Sequence, residues 1–157
     1  MNLTPDDIAG IVDLFGALTR SELDSALDEL AYRQDADVPD GAVDEALDAY
    51  AVVAFDRDDG SYLAVGPAAF PTLPEGAVDL PHILDVDPRA PDRAALANAV
   101  ESRFRGDVAR AVAADDDAEI RRLLDVSYDL EAWGPVELGE LRTRLDDALA
   151  ADREGAN

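Results

Sequence analysis

Apolar residues recur at helical spacing from the start of the chain. Ile8, Ile11, Val12, Phe15 and Leu18 follow one another at intervals of three, one, three and three. Ahead of them, Thr4-Pro5-Asp6-Asp7 offers a hydroxyl cap, a proline for the first helical position and acids for the first turn. Gly16 loosens the end of this helix. Thr19-Arg20-Ser21-Glu22 has the capping-box spacing, a hydroxyl three residues before a carboxylate. Leu23, Ala26, Leu27, Leu30 and Ala31 then predict a second helix up to Tyr32. A polar stretch from Gln34 to Pro39 precedes a third, expected to be capped by Asp40, with Val43, Ala46, Leu47 and Tyr50 on its inner face.

After Tyr50 the period changes. Val52-Val53-Ala54-Phe55 and Tyr62-Leu63-Ala64-Val65 are short β-type runs around Asp56-Arg57-Asp58-Asp59-Gly60, which predicts a hairpin with Gly60 at positive φ. Residues 66–91 hold six of the nine prolines, a density that argues against regular helix or central strand. The expectation is an irregular arm, ordered by packing of Phe70, Val78, Leu80, Ile83 and Leu84. From Asp92 the pattern is helical again. Leu96, Val100, Phe104, Val108 and Val112 form a stripe spaced by four, Asp115–Asp117 close that helix and cap the next, and Ile120, Leu123, Leu124 and Tyr128 continue it. Trp133-Gly134-Pro135 reads as a break, with Pro135 starting a last helix through Leu138, Leu141, Leu145 and Leu149 and a Glu140–Arg144 pair on its surface.

The division expected is therefore residues 1–66, an arm over 67–91, and a helical region over 92–157 packed with the first as one compact unit. The class is mainly α with a small β-hairpin. Three short helices followed by a hairpin is the order of a winged helix-turn-helix, here followed by a C-terminal helical bundle of about three helices. The run Leu18–Ala31 looks like the second helix of many haloarchaeal winged-helix proteins, and the whole chain resembles an uncharacterised haloarchaeal family with this N-terminal module. That resemblance implies a fold and no activity.

Composition changes the picture in one direction. Of 157 residues, 36 are acidic and 13 basic, for a net charge of −23, and every basic residue is arginine. The acids are spread along the chain rather than blocked, and 48% of residues are apolar, which argues against disorder. A uniform Asp-rich, lysine-free surface resembles that of the proteins of salt-loving archaea, which work in molar salt where the Debye length is about 3 Å and self-repulsion is screened; acidic mimicry is the alternative. The charge then reports habitat rather than a partner. The chain has no cysteine, so disulfides, thiol catalysis and Cys-ligated metals are excluded. No apolar run approaches membrane length and no signal-peptide pattern opens the chain, so a cytoplasmic protein with no membrane contact is expected.

Little else points to chemistry. Asp56–Gly60 misplaces the glycine and lacks the glutamate of a calcium loop, and reads as the hairpin turn. Asp85/Asp87 and Asp115–Asp117 sit beside helix starts, where acids complement the dipole. His82 is the only histidine and has no companions for base or zinc chemistry. Neither a phosphate loop nor a Gly-x-Ser-x-Gly turn is present. No catalytic residue, cofactor or metal is expected.

The informative contrast is electrostatic. Between Pro88 and Ala114, five arginines meet three acids, a local charge of +2. Arg89, Arg93, Arg103 and Arg110 are the candidate contacts for a partner or anion, Arg103 and Arg110 falling on one edge of the helical stripe. The competing assignment is that they pair with the chain's own carboxylates. The third helix, in the recognition position, reads Asp40-Gly41-Ala42-Val43-Asp44-Glu45-Ala46-Leu47-Asp48-Ala49-Tyr50. It carries no Arg, Lys, Asn or Gln for base-edge readout, and the wing holds three aspartates against one arginine. The turn before it is also longer than the three or four residues of most helix-turn-helix proteins. The sequence thus favours a non-enzymatic binding module for a protein partner or a second copy of itself. A DNA-binding regulator, touching phosphates through Arg20, Arg33 and Arg57 and the C-terminal arginines, is the alternative.

Overall fold

Hydroxyl caps set both N-terminal helices. In the computed structural model, which describes residues 2–155, Thr4 Oγ1 accepts the Asp7 N–H at 3.1 Å while the Asp7 carboxylate accepts the Thr4 N–H at 3.0 Å. This reciprocal box opens α1 (Pro5–Phe15). Thr19 and Glu22 repeat it for α2 (Arg20–Arg33), at 3.1 and 2.9 Å. Gly16, at φ 80°, ends α1 in a conformation that side chains rarely adopt.

The third helix starts differently from the sequence expectation. Asp40 does not cap it; α3 (Ala42–Asp48) begins after Gly41, which is left-handed at φ 76° and offers no side chain. Backbone geometry replaces capping chemistry there. Tyr50 lies beyond the helix, fully buried and itself at φ 60°, turning the chain into the hairpin. That hairpin is β1 (Val52–Arg57) and β2 (Gly60–Val65), antiparallel from Val52 opposite Val65 to Arg57 opposite Gly60, with Gly60 at φ 143°. Its inner neighbour is a single residue: Leu18, between α1 and α2, exchanges both backbone hydrogen bonds with Leu63, at 3.0 and 2.6 Å. The core of this region joins Ile8, Ile11 and Phe15 of α1 to Leu23, Leu27 and Leu30 of α2, with Val43, Val52 and Leu63.

The arm after β2 is ordered along this same core, by contacts only partly those expected. Leu80 is buried, and Leu84 and Val86 pack against the cluster. Phe70 and Val78 instead stand in solvent, 80% and 63% exposed. The proline-rich segment also contains a short helix, α4 (Leu80–Leu84), because Pro81 falls in its first turn, where no N–H is required. Thr72 donates its N–H to the Asp6 carbonyl at 3.0 Å and its hydroxyl to the Asp7 carboxylate at 2.6 Å. Gly10 permits this approach: a Cβ there would fall 1.9 Å from the Thr72 carbonyl oxygen.

The chain divides into two compact units between Leu96 and Ala97. The second is helical: most of α5 (Arg93–Ala113), then α6 (Asp117–Trp133) and α7 (Gly139–Gly155). Leu96, Val100, Phe104 and Val108 are buried as their spacing predicts, while Val112 is half-buried. Asp116 caps α6 by accepting the Glu119 N–H at 3.2 Å. Pro135 does not start α7, which begins four residues later. The intervening turn buries Val136 and Leu138, and the Leu138 N–H goes to the Glu131 carboxylate at 3.0 Å. Glu131 also takes the guanidinium of Arg142, which lies 4.7 Å over the Tyr128 ring. This pair links charge on α6 to charge on α7, and the expected Glu140–Arg144 pair within α7 is not among the ion pairs of the described residues.

Candidate functional site

A concavity of the first unit lies between α2 and the α2–α3 connection, with a volume near 960 Å³. Its floor is apolar because the inward stripes of the two helices end there: Leu27 and Ala31 from α2, Ala42 and Val43 from α3. Its rim is acidic because the outward positions of the two helices and of the connection between them are aspartates. Asp24, Asp28, Asp37, Asp40 and Asp44 line it, all exposed. The one cation on the rim, Arg20, is spanned by two of them, 3.6 Å from Asp24 and 3.3 Å from Asp44.

Arg33 and Arg57, also named as phosphate contacts, are exposed and likewise have partners within the protein. Arg33 pairs with Glu29 one helical turn earlier, at 3.6 Å. Arg57, on the hairpin, lies 5.1 Å over the ring of Tyr62. Asp59 accepts the Tyr62 hydroxyl at 2.7 Å, and that hydrogen bond holds its carboxyl below the usual range. Arg20, Arg33 and Arg57 thus each meet a group of the protein itself although all three are exposed, and the surface around them is acidic: Asp44, Glu45 and Asp48 of α3 and Asp56 and Asp58 of the wing are exposed as well, Asp44 as a partner of Arg20.

The four candidate arginines occupy unlike places. Arg89 is engaged inside the first unit. Its two terminal nitrogens donate to the two oxygens of Glu22 at 2.7 and 2.9 Å, and one of them also meets the Ala17 carbonyl at 3.1 Å. Its guanidinium lies 5.1 Å over the face of Tyr62 and its N–H reaches the Phe15 carbonyl at 2.7 Å. The bond from Arg89 pulls the Glu22 carboxyl down to about 2, against the opposing effect of burial and with help from the Thr19 N–H. Arg93 is exposed at the start of α5. Arg103 and Arg110 share one carboxylate on their own helix: Arg103 Nε stands 3.6 Å from one oxygen of Asp107, and Arg110 meets the other. Sequence spacing placed these two on one edge. It did not single out Asp107, at positions four after the first and three before the second, as the acid between them.

Nothing gathers the remaining chemistry-bearing residues. His82 is exposed on α4. Among the described residues no three of His, Asp and Glu are grouped as a metal ion would need. The buried hydroxyl of Ser127 donates to the Leu124 carbonyl at 2.6 Å. Among the described residues no helix is long and apolar enough to cross a membrane.

No curated protein and no solved structure matches the chain. One family does, under the description "Family of unknown function (DUF7109)", over residues 6–150. With that match running from the first turn of α1 to the last apolar residues of α7, the chain belongs to this family.

Proposed function

We propose that this protein is a non-enzymatic, winged-helix-like binding module of a salt-loving cell, and that its α2–α3 face takes a protein partner rather than DNA. The order of α1, the Leu18 bridge, α2, α3 and the β1–β2 wing supports the winged-helix reading: Leu18 supplies the third, one-residue member of the sheet beside Leu63. The observation that carries the choice of partner is the pairing of Arg20, Arg33 and Arg57 with the protein's own acids and ring. A DNA backbone is recognised by cations free to replace its counterions, and here each of these exposed cations already meets a group of the protein, while α3 carries Asp44, Glu45 and Asp48 and no cation. A regulator that reads DNA is the second reading, favoured by element order alone.

Two measurements test this. Random duplexes retained by the protein in molar KCl are sequenced, and no enriched site is expected; an enriched site bound through α3 would overturn the reading. In parallel, Asp28 on the groove rim is replaced by a photo-crosslinking residue, with Asp13 on α1 replaced as control. A defined protein adduct from position 28 and none from position 13 is expected, and equal labelling from both would equally count against it.

A further inference from the structure

The arm carries a feature that the groove does not explain. Phe70-Pro71-Thr72-Leu73-Pro74 holds a Pro-x-x-Pro spacing, and it presents large apolar side chains to solvent: Phe70 is 80% and Leu73 48% exposed. Single exposed apolar residues need no explanation. Here two stand three residues apart on a segment whose backbone is restricted almost throughout. Proline fixes φ at Pro71 and Pro74, and each restricts the residue before it to extended or polyproline conformation, which covers Phe70 and Leu73. Among the described residues none of 69–74 lies in a helix or strand.

A three-residue period sorts the segment into edges. Ala69 packs against the core and Thr72 bonds to the Asp6 carbonyl and the Asp7 carboxylate, so this edge faces α1. Phe70 and Leu73 fall together on a second edge, and Pro71 and Pro74 on the third. The Phe70 N–H is anchored as well, to the Asp6 side chain at 3.0 Å. Gly10 is what lets the segment lie this close to the helix. The protein therefore holds a proline-restricted ridge in place with the Phe70–Leu73 edge and Pro71 exposed and Pro74 half-buried, so a partner need not supply that ordering on binding.

We infer that residues 70–74 are a docking ridge for a partner domain that reads proline-rich segments through an aromatic-lined groove, the exposed Phe70, Pro71 and Leu73 filling its pockets. Such grooves exploit a preformed polyproline segment, and here the bonds of Thr72 and Phe70 to α1 hold the segment while Phe70, Pro71 and Leu73 stay exposed. Charge narrows the occupant further. Glu75 follows the ridge, exposed, with its carbonyl rather than its carboxylate engaged by Gln34, so the groove that fits carries an arginine or lysine at the matching end.

The test uses the full chain, isotope-labelled, at the lowest KCl concentration at which its amide spectrum shows it folded. It is titrated with a panel of isolated SH3, WW and EVH1 domains. At least one domain should shift the amides of residues 69–75 selectively, with Kd in the micromolar range. Phe70→Ala combined with Leu73→Ala should weaken that binding at least tenfold, and Pro71→Ala several-fold, while the spectrum of the rest of the chain and the thermal melt stay unchanged. Val78→Ala, which removes an exposed apolar residue outside the ridge, should leave binding as it was. The inference is overturned if no domain moves these amides, if the shifts fall elsewhere, or if binding survives the double substitution. A melt lowered by the double substitution would also overturn it, since side chains that stabilise the fold are not free to fill pockets.

Discussion

Glu22 and Arg89 meet through two parallel hydrogen bonds, 2.7 and 2.9 Å long, across 67 residues of chain. The same glutamate closes the α2 capping box with its bond to the Thr19 N–H. One carboxylate thus starts a helix and anchors the end of the arm. Fork-to-fork geometry makes this the strongest class of ion pair, and the two side chains retain only about a quarter of their exposure, 25% for Glu22 and 27% for Arg89.

The first prediction is a pH dependence that belongs to this pair. Arg89 holds the Glu22 carboxyl at about 2 in the folded chain, against 4.5 for the free group. A carboxyl depressed by folding contributes stability in full above its unfolded pKa, and that contribution fades as pH falls towards the folded value. Glu22→Gln keeps a capping side chain and removes only the charge. In urea titrations in molar KCl, the variant should be less stable than wild type at pH 7 by on the order of 1–2 kcal/mol, less than the shift alone would give because the pair is partly solvated. The gap should close between pH 4.5 and 2. A gap that stays constant across this window would show that the charge is not what matters.

The second prediction concerns Gly10. In an open helix interior, Gly→Ala is stabilising by about 1 kcal/mol. At Gly10 the new Cβ would lie 1.9 Å from the Thr72 carbonyl oxygen, so the arm must move and its bonds to Asp6 and Asp7 must lengthen. Gly10→Ala should therefore destabilise by roughly 1–3 kcal/mol, the cost of overpacking. Gly139→Ala, where a Cβ meets nothing within 4 Å, should be neutral or stabilising. Equal melts for the two variants would mean that the arm does not rest on α1.

The third prediction follows from the net charge of −23. Lowering KCl from 1 M to 0.01 M lengthens the Debye length from about 3 to about 30 Å, and repulsion among exposed aspartates then acts across the whole surface. The melting midpoint should rise steadily with KCl between 0.1 and 3 M. A midpoint that does not move would remove the reason for assigning the chain to a salt-rich interior.

What could be read in advance was local. The Thr4 and Thr19 caps, the α5 stripe and the hairpin each lie within a few residues of their own signals, and each stands where the spacing places it. Asp40 misled because a capping residue type one position early looks like a cap, while the helix was set by the left-handed turn at Gly41. Pro81 misled because proline opposes a helix everywhere except in its first turn. The Leu18–Leu63 bridge, the Glu22–Arg89 pair and the bond from Arg142 to Glu131 join residues 11 to 67 positions apart, and no periodicity encodes which partner a distant side chain meets. The acidic groove was legible in part: the aspartates of α3 were conspicuous, but their convergence with Asp24 and Asp28 requires the angle between two helices.

The last prediction separates the two roles open to Arg103 and Arg110. Both reach Asp107, yet their surroundings differ: the Arg103 side chain is 26% exposed and that of Arg110 73%, with Asp107 between them at 17%. An exposed ion pair contributes between zero and about 1 kcal/mol, and screening lowers that further in molar salt. Arg110→Ala should therefore melt like wild type. Arg103→Ala removes the better-buried partner of a mostly buried carboxylate, along with the packing of its stem, and should lower stability by about 1 kcal/mol, a shift of about 2–4 °C for a chain of this size. Asp107→Asn should cost a similar amount, and combining it with Arg103→Ala should add little, because residues that share one interaction are not additive. Full additivity in that double-mutant cycle would show that Arg103 and Asp107 act separately. An Arg103→Ala melt indistinguishable from wild type would return Arg103 to the surface as a candidate contact for an anionic partner.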